Sequence, residues 1–393
     1  MRRRPENQRH PLDPGRGRGV PFDSRLRRLT STRRIGTLAL FPRAIHVVVW
    51  IRLLRPLETV SRERPTLVKS LPGTLLLLAT GCSVAEPSAY STLQPVSDYG
   101  RLVLDVYGDL FWWTAGIFVV VELLLLYALV RYRGRDGDSG VPDQVHGFTA
   151  LEIGWTLIPA AILFFIAIPT VRTIFQLHGP PPDPDPLEIT VVGHQWWWEF
   201  QYPELGIVTA NELHVPVGRT THLTLTSADV IHSFWVPRLG GKRDLNPGSE
   251  NRMWFTPTET GVFYGQCAEL CGTSHANMRM QVFVDDTAAF EEWVASMRQP
   301  AVPDSAGTMT FLISGCAACH AIDGSPAQGK VGPNLTNMGR RTTLASALIE
   351  NTPENMAGWL RNPDSVKPGA MMPDLNLDDQ RIDDLVRFLE GLR

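Results

Sequence analysis

The sequence predicts a multidomain membrane protein made of a two-helix transmembrane hairpin, an antiparallel β sandwich or barrel, and a small all-α domain. Three observations support this prediction. Two long apolar segments lie in the first half of the chain, short alternating runs broken by Gly, Pro and Asn follow them, and the last part of the sequence is largely helical in pattern. A length of 393 residues is enough for these three parts.

Composition and charge argue against a nucleic acid partner. Charged residues make up 20% of the chain and hydrophobic residues 44%, as expected for a protein lying partly in membrane and partly in water. The formal net charge is −3, and the basic excess lies near the N-terminus rather than within a domain. Because phosphate binding needs a concentrated basic surface, we expect no nucleic acid partner.

The N-terminal segments resemble a tail followed by an export signal. Residues 61–82 contain basic residues, a short apolar run and then Cys82. The run is too short to span a bilayer, so it favours a signal or lipoprotein-like segment. Lipidation of Cys82 is one interpretation, and cleavage nearby or no cleavage is the other. Since a signal normally begins a protein, residues 1–60 are interpreted as a disordered tail or a mis-assigned start.

Residues 95–178 are predicted to form the transmembrane hairpin. Apolar helices are expected at about 110–132 and 153–175, each close to the ~20 residues that a bilayer-crossing helix needs. Three arginines follow the first apolar segment, and the tendency of basic loops to stay inside places the connecting loop in the cytoplasm. Both ends of the chain are therefore predicted to lie outside the cell.

Two further domains are predicted after the hairpin. A Pro-rich linker precedes residues 185–298, whose alternating apolar and polar runs indicate β strands closed by a short helix. A second linker leads to residues 308–393, which are largely helical in pattern and contain the sequence CAACH.

A compact array of soft ligands lies at the end of the β domain. It comprises His232, Cys267, Cys271, His275 and Met278. Thiolate, imidazole and thioether donors together favour copper, and two cysteines with two histidines allow both thiolates to bridge a pair of copper ions. A disulfide between the cysteines would leave the other donors unexplained, and a zinc site would not account for the methionine. A dinuclear copper centre is therefore predicted.

The all-α domain carries a signature of covalent haem attachment. Cys316, Cys319 and His320 form a C-x-x-C-H motif, in which the two thiols bond the haem and the histidine ligates its iron. The sixth ligand is expected to be a methionine directly before a proline, which selects Met372 over Met371. A disulfide or a zinc site is the alternative interpretation of the two cysteines.

These motifs resemble two known families. Residues 152–278 are similar to subunit II of cytochrome c oxidases of the haem–copper superfamily, through EIGWTLIPA, GHQWWWEFQYPE, TSADVIHSFWVP and YGQCAELCGTSHANM. The last domain resembles class I cytochromes c, through KVGPNLTN and KPGAMMPDL. The resemblance implies a cupredoxin-like β domain whose dinuclear copper ligands are His232, Cys267, the main-chain carbonyl of Glu269, Cys271, His275 and Met278.

The resemblance implies three further roles. The side chain of Glu269 would help to bind magnesium at the contact with the large catalytic subunit, and a carboxylate suits that hard cation. Trp196 would be the aromatic residue through which electrons enter, although aromatic clusters in β domains most often serve core packing. Glu152 would lie at the mouth of a proton channel, although an acid at a helix end is also explained as a solvated boundary residue.

The function implied is that of subunit II of a terminal oxidase in a bacterial plasma membrane, with its copper and haem domains on the outer face. It would pass electrons from cytochrome c through a covalent haem c and copper to subunit I, where oxygen is reduced to water with proton translocation. Subunits I and III, cytochrome c and the membrane are the expected partners. Alternatives are a quinol oxidase subunit, which would lack copper ligands, a copper-bearing nitric oxide reductase subunit, and a membrane-anchored electron carrier or copper assembly factor.

Overall fold

The computed structural model describes residues 88–134, 140, 144, 146–179, 181–299 and 303–393. The tail at 1–60 and the signal-like segment at 61–82, including Cys82, lie outside the described residues, so both interpretations stay predictions. Every element named below belongs to one structural unit, Cys82–Arg393.

Two long helices form the hairpin, α1 at Asp98–Arg131 and α2 at Thr149–His178. Both are long and apolar enough to cross a membrane, and the apolar stretch of each is not buried inside the protein. Helix α1 begins earlier than the apolar segment predicted at 110, because the Ser97 side chain accepts a hydrogen bond from the Gly100 N–H at 2.9 Å and so caps the helix. Lipid or another subunit must therefore cover these faces.

The β domain anchors the outer ends of the hairpin. The Ser97 hydroxyl donates to the Leu239 carbonyl at 2.5 Å, and the Asp98 carboxylate accepts from the Thr256 N–H at 2.7 Å. At the end of α2, one nitrogen of the Arg243 guanidinium lies 3.0 Å from Nε2 of His178. Both helices therefore enter the membrane from the side on which the β domain lies.

The β domain consists of two five-stranded sheets, with strand orders β3-β2-β1-β5-β8 and β4-β10-β9-β6-β7. Helix α3, Thr287–Met297, follows them. The strands are β1 Leu187–His194, β2 Trp197–Tyr202, β3 Ile207–Ala210, β4 Glu212–Pro216, β5 Thr221–Ser227, β6 His232–Trp235, β7 Arg243–Leu245, β8 Asn251–Phe255, β9 Gly261–Cys267 and β10 Arg279–Asp285.

Alternation along the strands produces the core of this domain. In β1 every second side chain is buried, as in a strand that turns one face to the core. Trp198, Phe200, Tyr202 and Phe234 are fully buried between the sheets. Strands β1 and β5 pair in parallel, as do β4 and β10, while the other pairs within these two sheets are antiparallel. Alternation reports which face is buried and does not distinguish the two kinds of pairing.

The last domain is built mainly of short helices. They are α4 Ser305–Ile313, α5 Pro353–Arg361, α6 Pro363–Val366 and α7 Asp379–Gly391. A hairpin of two short strands, β11 Thr343–Leu344 and β12 Ile349–Glu350, lies between α4 and α5. Helix α4 begins before the boundary predicted at 308, because the Asp304 carboxylate caps it by accepting from the Gly307 N–H. Gly307 lies against α7, where a Cβ would come within 2.3 Å of the Phe388 ring. The first and last helices of the domain therefore cross closely at this glycine.

Candidate metal centre and haem pocket

The five predicted copper donors come from separate elements that meet at one end of the second sheet. His232 begins β6, Cys267 ends β9, and Cys271 lies in the loop after it. His275 begins a short 3-10 helix and Met278 follows that helix directly before β10. Pairing of β6 with β9 and of β9 with β10 fixes their spacing.

The side-chain donor atoms of these residues surround one small space. The sulfurs of Cys267 and Cys271 lie 3.8 Å apart, much farther than the ~2.05 Å of a disulfide. Nδ1 of His232 lies 3.9 Å from the Cys267 sulfur, and Nδ1 of His275 lies 3.4 Å from the Cys271 sulfur. The Met278 sulfur is 3.9 Å from that of Cys271. Thiolate, imidazole and thioether donors thus share a largely buried site suited to copper.

The main-chain carbonyl of Glu269 lies at the candidate copper site, whereas the residue is exposed at the surface. Its carbonyl oxygen lies 3.2 Å from the Cys267 sulfur, beside the other donors. The residue itself is exposed, so its carboxylate is available to an ion or a partner at the surface. This arrangement is compatible with both roles predicted for the residue.

Asp229 orients one of the predicted copper ligands. Its carboxylate lies 2.7 Å from Nε2 of His232, which leaves Nδ1 directed to Cys267. Ligating histidines usually bond a carboxylate or carbonyl through their second nitrogen. Burial disfavours protonation of His232, but hydrogen bonds with Cys267 and Asp229 outweigh burial and raise its pKa. We did not predict Asp229 from the sequence, although a carboxylate three residues before a ligand histidine is a signal that could have identified it.

The two cysteines form one coupled acid. The hydrogen bond from the Cys271 thiol lowers the pKa of Cys267 to about 3, against the opposing effect of burial. The same hydrogen bond and burial raise the pKa of Cys271. The hydrogen bond therefore favours loss of a proton from Cys267 before Cys271, and binding of metal ions through both sulfurs would require both thiols to lose their protons.

The C-x-x-C-H motif lines a cavity of about 210 Å³. Its walls are mostly apolar and include Val331, Leu335, Met338 and Leu344. All four residues predicted to hold haem line it, namely Cys316, Cys319, His320 and Met372. An apolar slot that brings together two thiols, an imidazole and a thioether fits a covalent haem with two axial ligands.

His320 is held in the orientation that iron ligation requires. Its Nδ1 lies 2.8 Å from the Pro333 carbonyl, which leaves Nε2 free to ligate. Burial lowers the pKa of His320 and favours the neutral ring that binds metal. Gly332 lies against the ring, and a Cβ there would come within 2.5 Å of it. This glycine, which lies in the quoted KVGPNLTN segment, is therefore required by a close approach to the histidine.

The remaining haem residues differ in exposure. Cys316 and Cys319 are free and half-buried, and burial raises the pKa of Cys316 to about 11. Met372 is half-buried and packs against the core of the domain, whereas Met371 is 63% exposed. The difference favours Met372 as the ligand and leaves Met371 at the surface.

Trp196 lies between the two sites. Its indole N–H donates to the Cys271 carbonyl at 3.0 Å, and the same residue is among those that line the haem cavity. The Gln195 amide donates to the same carbonyl at 2.7 Å. The residue predicted from the resemblance to receive electrons is therefore half-buried and in contact with a predicted copper ligand.

Glu152 is far from both sites. It lies in the first turn of α2, whereas the β domain follows the last turn at His178. A rise of ~1.5 Å per residue separates the two ends of this helix by roughly 40 Å. Its side chain is exposed in this chain, and its role stays a prediction.

Comparison with known proteins agrees with this architecture. Three family models match, described as the transmembrane domain of cytochrome c oxidase subunit II at residues 101–173, the periplasmic domain of the same subunit at 205–284, and cytochrome c at 305–393. Cytochrome c oxidase subunit 2 of Alkalihalophilus pseudofirmus is 36% identical, over 81% of this chain and 95% of the relative.

A second relative covers the same extent. Cytochrome c oxidase subunit 2 of Bacillus sp. (strain PS3) is 37% identical over 82% of this chain and 96% of its own length. The chain belongs to the cytochrome c oxidase subunit II family. A crystal structure of the periplasmic domain of subunit II of cytochrome oxidase from Bradyrhizobium japonicum is 36% identical, with a TM-score of 0.29, over 30% of this chain and 96% of that one.

Family membership confirms several expectations. The fold class is confirmed as a membrane hairpin, a cupredoxin-like β domain and an α-helical cytochrome c domain. The chain is a membrane-anchored subunit of an oxidase complex, with its later domains facing outward, and it associates with subunit I and with a cytochrome c donor. The relatives named above are oxidase subunits, which favours this function over nitric oxide reduction. Copper and haem are the cofactors that the two domains imply.

Proposed function

We propose that this subunit II binds a dinuclear copper centre and a covalent haem c, and that it delivers electrons from cytochrome c to subunit I for the reduction of oxygen to water coupled to proton translocation. One observation carries the proposal. Trp196 contacts the main chain of Cys271 and also lines the cavity that holds the C-x-x-C-H motif. A single residue therefore links the two sets of ligands.

The β domain would hold the copper pair. The ligands are His232, Cys267, the Glu269 carbonyl, Cys271, His275 and Met278. When bound, the copper pair would supply a one-electron carrier. The protein excludes water by burying both cysteines and Met278, and it fixes His232 through Asp229. Pairing of β6 with β9 and of β9 with β10 fixes the spacing of these donors, which would limit rearrangement during electron transfer.

The cytochrome domain would hold the haem. Cys316 and Cys319 would form the covalent bonds, and His320 and Met372 would bind the iron. A bound haem supplies a second one-electron carrier, and thioether ligation raises its potential. The apolar cavity keeps water away, while the Pro333 carbonyl fixes the histidine.

Three finer assignments complete the proposal. The exposed carboxylate of Glu269 would share a magnesium ion with subunit I, since oxygen ligands suit that cation. Glu152 would lie at the cytoplasmic mouth of a proton channel, as its place at the loop end of α2 suggests. The exposed apolar faces of α1 and α2 would pack against subunit I, and subunit III would join the same complex.

Metal and haem analysis of the purified oxidase tests the assignment. We expect two copper ions in this subunit that share one unpaired electron in paramagnetic resonance, together with a low-spin haem that remains attached to the denatured chain. The matched variant with Cys316→Ser and Cys319→Ser should lose the attached haem and keep the copper signal. A mononuclear copper signal, or bound zinc, would overturn the dinuclear assignment.

A further inference from the structure

The cytochrome domain is held on the copper domain by polar contacts close to Trp196. The first contact centres on Glu212 at the start of β4, which is 4% exposed. Its carboxylate accepts from the main-chain N–H groups of Thr342 and Thr343 at 2.9 and 2.8 Å, and from their hydroxyls at 2.9 and 2.7 Å. Four donors from one domain thus converge on a buried carboxylate of the other, a charge-assisted arrangement that is strong in a dry interface.

The second contact centres on Lys367, which is 5% exposed and precedes the loop that bears Met372. Its ammonium donates to the main-chain carbonyl of Trp196 and, at 2.6 Å, to the Ser346 hydroxyl. That hydroxyl donates in turn to the same Trp196 carbonyl at 2.9 Å. No carboxylate lies within ion-pair distance of Lys367 in the part of the chain that the structure describes. Burying an ammonium is costly, so these hydrogen bonds must compensate for lost hydration.

A strained hairpin presents Ser346 to Trp196. Ala345, Ser346 and Ala347, which connect β11 to β12, have φ of 55°, 65° and 57°. Left-handed backbone costs a non-glycine residue on the order of 1 kcal/mol or more, and such strain persists where the surrounding structure requires it. Here the strained turn places a buried hydroxyl on the main chain of Trp196.

The loop that bears Met372 also touches the loop between Cys271 and His275 directly. Gly369, with φ of 81°, lies so close to Thr273 that a Cβ would come within 2.9 Å of its methyl group. Thr273 lies between the predicted ligands Cys271 and His275 in the sequence. The segment that carries one haem ligand is therefore fixed against the segment that carries two copper ligands.

We propose that Glu212 and Lys367 are positioning residues that latch the cytochrome domain onto Trp196 and so fix the resident haem as the immediate donor to the copper centre. Covalent linkage already raises the local concentration of the haem domain near the copper domain. The latch holds the haem domain in one orientation on the copper domain. The inference rests on the proposed haem and copper sites. A failed latch would leave their spectra intact, whereas failure of the proposed function would alter those spectra.

Three variants of the full oxidase complex test the latch. Glu212→Gln and Lys367→Met remove the buried carboxylate and the buried amino group, and Ser346→Ala is a milder change that keeps the test usable if the others fold poorly. Glu354→Gln and Lys330→Met alter exposed residues of the cytochrome domain outside the β11–β12 hairpin and serve as matched controls. Two quantities are measured, namely amide hydrogen exchange at Thr342 and Thr343, and the rate at which the photoreduced haem passes its electron to copper.

The latch predicts faster exchange and slower transfer together. Loss of a hydrogen bond to a buried charged group should increase the undocked population by about tenfold or more, and exchange at the two threonine amides should rise in proportion. Transfer from haem to copper should slow in the same variants, with unchanged copper resonance and haem spectra. The control variants should match the parent chain.

Two results would overturn the latch. One is unchanged exchange and transfer in all three variants. The other is faster exchange that extends equally into α7, because that would show loosening of the whole cytochrome domain rather than its release from the copper domain.

Discussion

The indole N–H of Trp196 donates to the main-chain carbonyl of Cys271 at 3.0 Å. Cys271 is one of the two thiols of the proposed metal centre, and Trp196 is also among the residues that line the haem cavity. The tryptophan is therefore part of both sites. Its neighbour Trp197 instead stacks on His194, with ring centroids 4.0 Å apart, and offers a control for the predictions that follow.

Substitution Trp196→Phe should slow electron transfer from haem to copper severalfold, because it removes the hydrogen bond to Cys271 and shrinks the aromatic surface in the cavity. Trp197→Phe should change this rate less. Flash photoreduction of the haem, with copper absorption as the readout, measures both. Equal rates for the two variants would show that Trp196 is only a packing residue.

Substitution Asp229→Asn should weaken copper binding by about 10- to 100-fold, because the carboxylate orients His232 through Nε2. Competition with a chelator of known affinity measures the change. Glu259→Gln alters an exposed carboxylate of the same domain and should leave the affinity unchanged. Parent-like affinity in the Asp229 variant would mean that the strands alone orient the histidine.

Substitution Gly332→Ala should displace the His320 ring, because the new methyl group would lie within 2.5 Å of it. Overpacking of this kind costs about 1–3 kcal/mol and should reduce the fraction of six-coordinate haem. Carbon monoxide binding to the reduced haem reports the opened position. Gly358→Ala, whose Cβ would meet nothing within 4 Å, should bind no more carbon monoxide than the parent chain.

Substitution Met372→Ala should lower the haem reduction potential and open the iron to carbon monoxide, because the thioether ligand is lost. Met371→Ala should do neither, since Met371 is 63% exposed. Redox titration followed at the haem absorption band measures the potential. The reverse result, with Met371 controlling the potential, would correct the ligand assignment.

Much of this architecture could be predicted from local sequence patterns. Apolar length predicts the hairpin, alternation predicts buried strand faces such as that of β1, and C-x-x-C-H predicts the haem pocket because its chemistry needs residues close together in sequence. The distant His232 is grouped with the other soft donors by its residue type, and the resemblance to a family assigns it to the same centre. Parallel pairing of β1 with β5 was not predicted, because alternation is the same in both kinds of sheet.

The contacts between domains could not be predicted. From the sequence, Glu212 is indistinguishable from an ordinary surface acid on a strand. The four hydrogen-bond donors to its carboxylate belong to Thr342 and Thr343, more than a hundred residues away in the sequence. Lys367 lies in the quoted KPGAMMPDL segment, but nothing local indicates that its ammonium is buried on Trp196. Such roles depend on how two folded domains meet, which periodicity and motif spacing do not describe.

The order in which electrons arrive tests the central claim most directly. The purified oxidase is mixed with reduced cytochrome c in a stopped-flow instrument, and the haem and copper bands of this subunit are followed during one turnover. We predict that the haem is reduced first and copper second, and that Cys316→Ser with Cys319→Ser slows copper reduction strongly. Copper reduction at the parent rate in that haem-free variant would contradict the account.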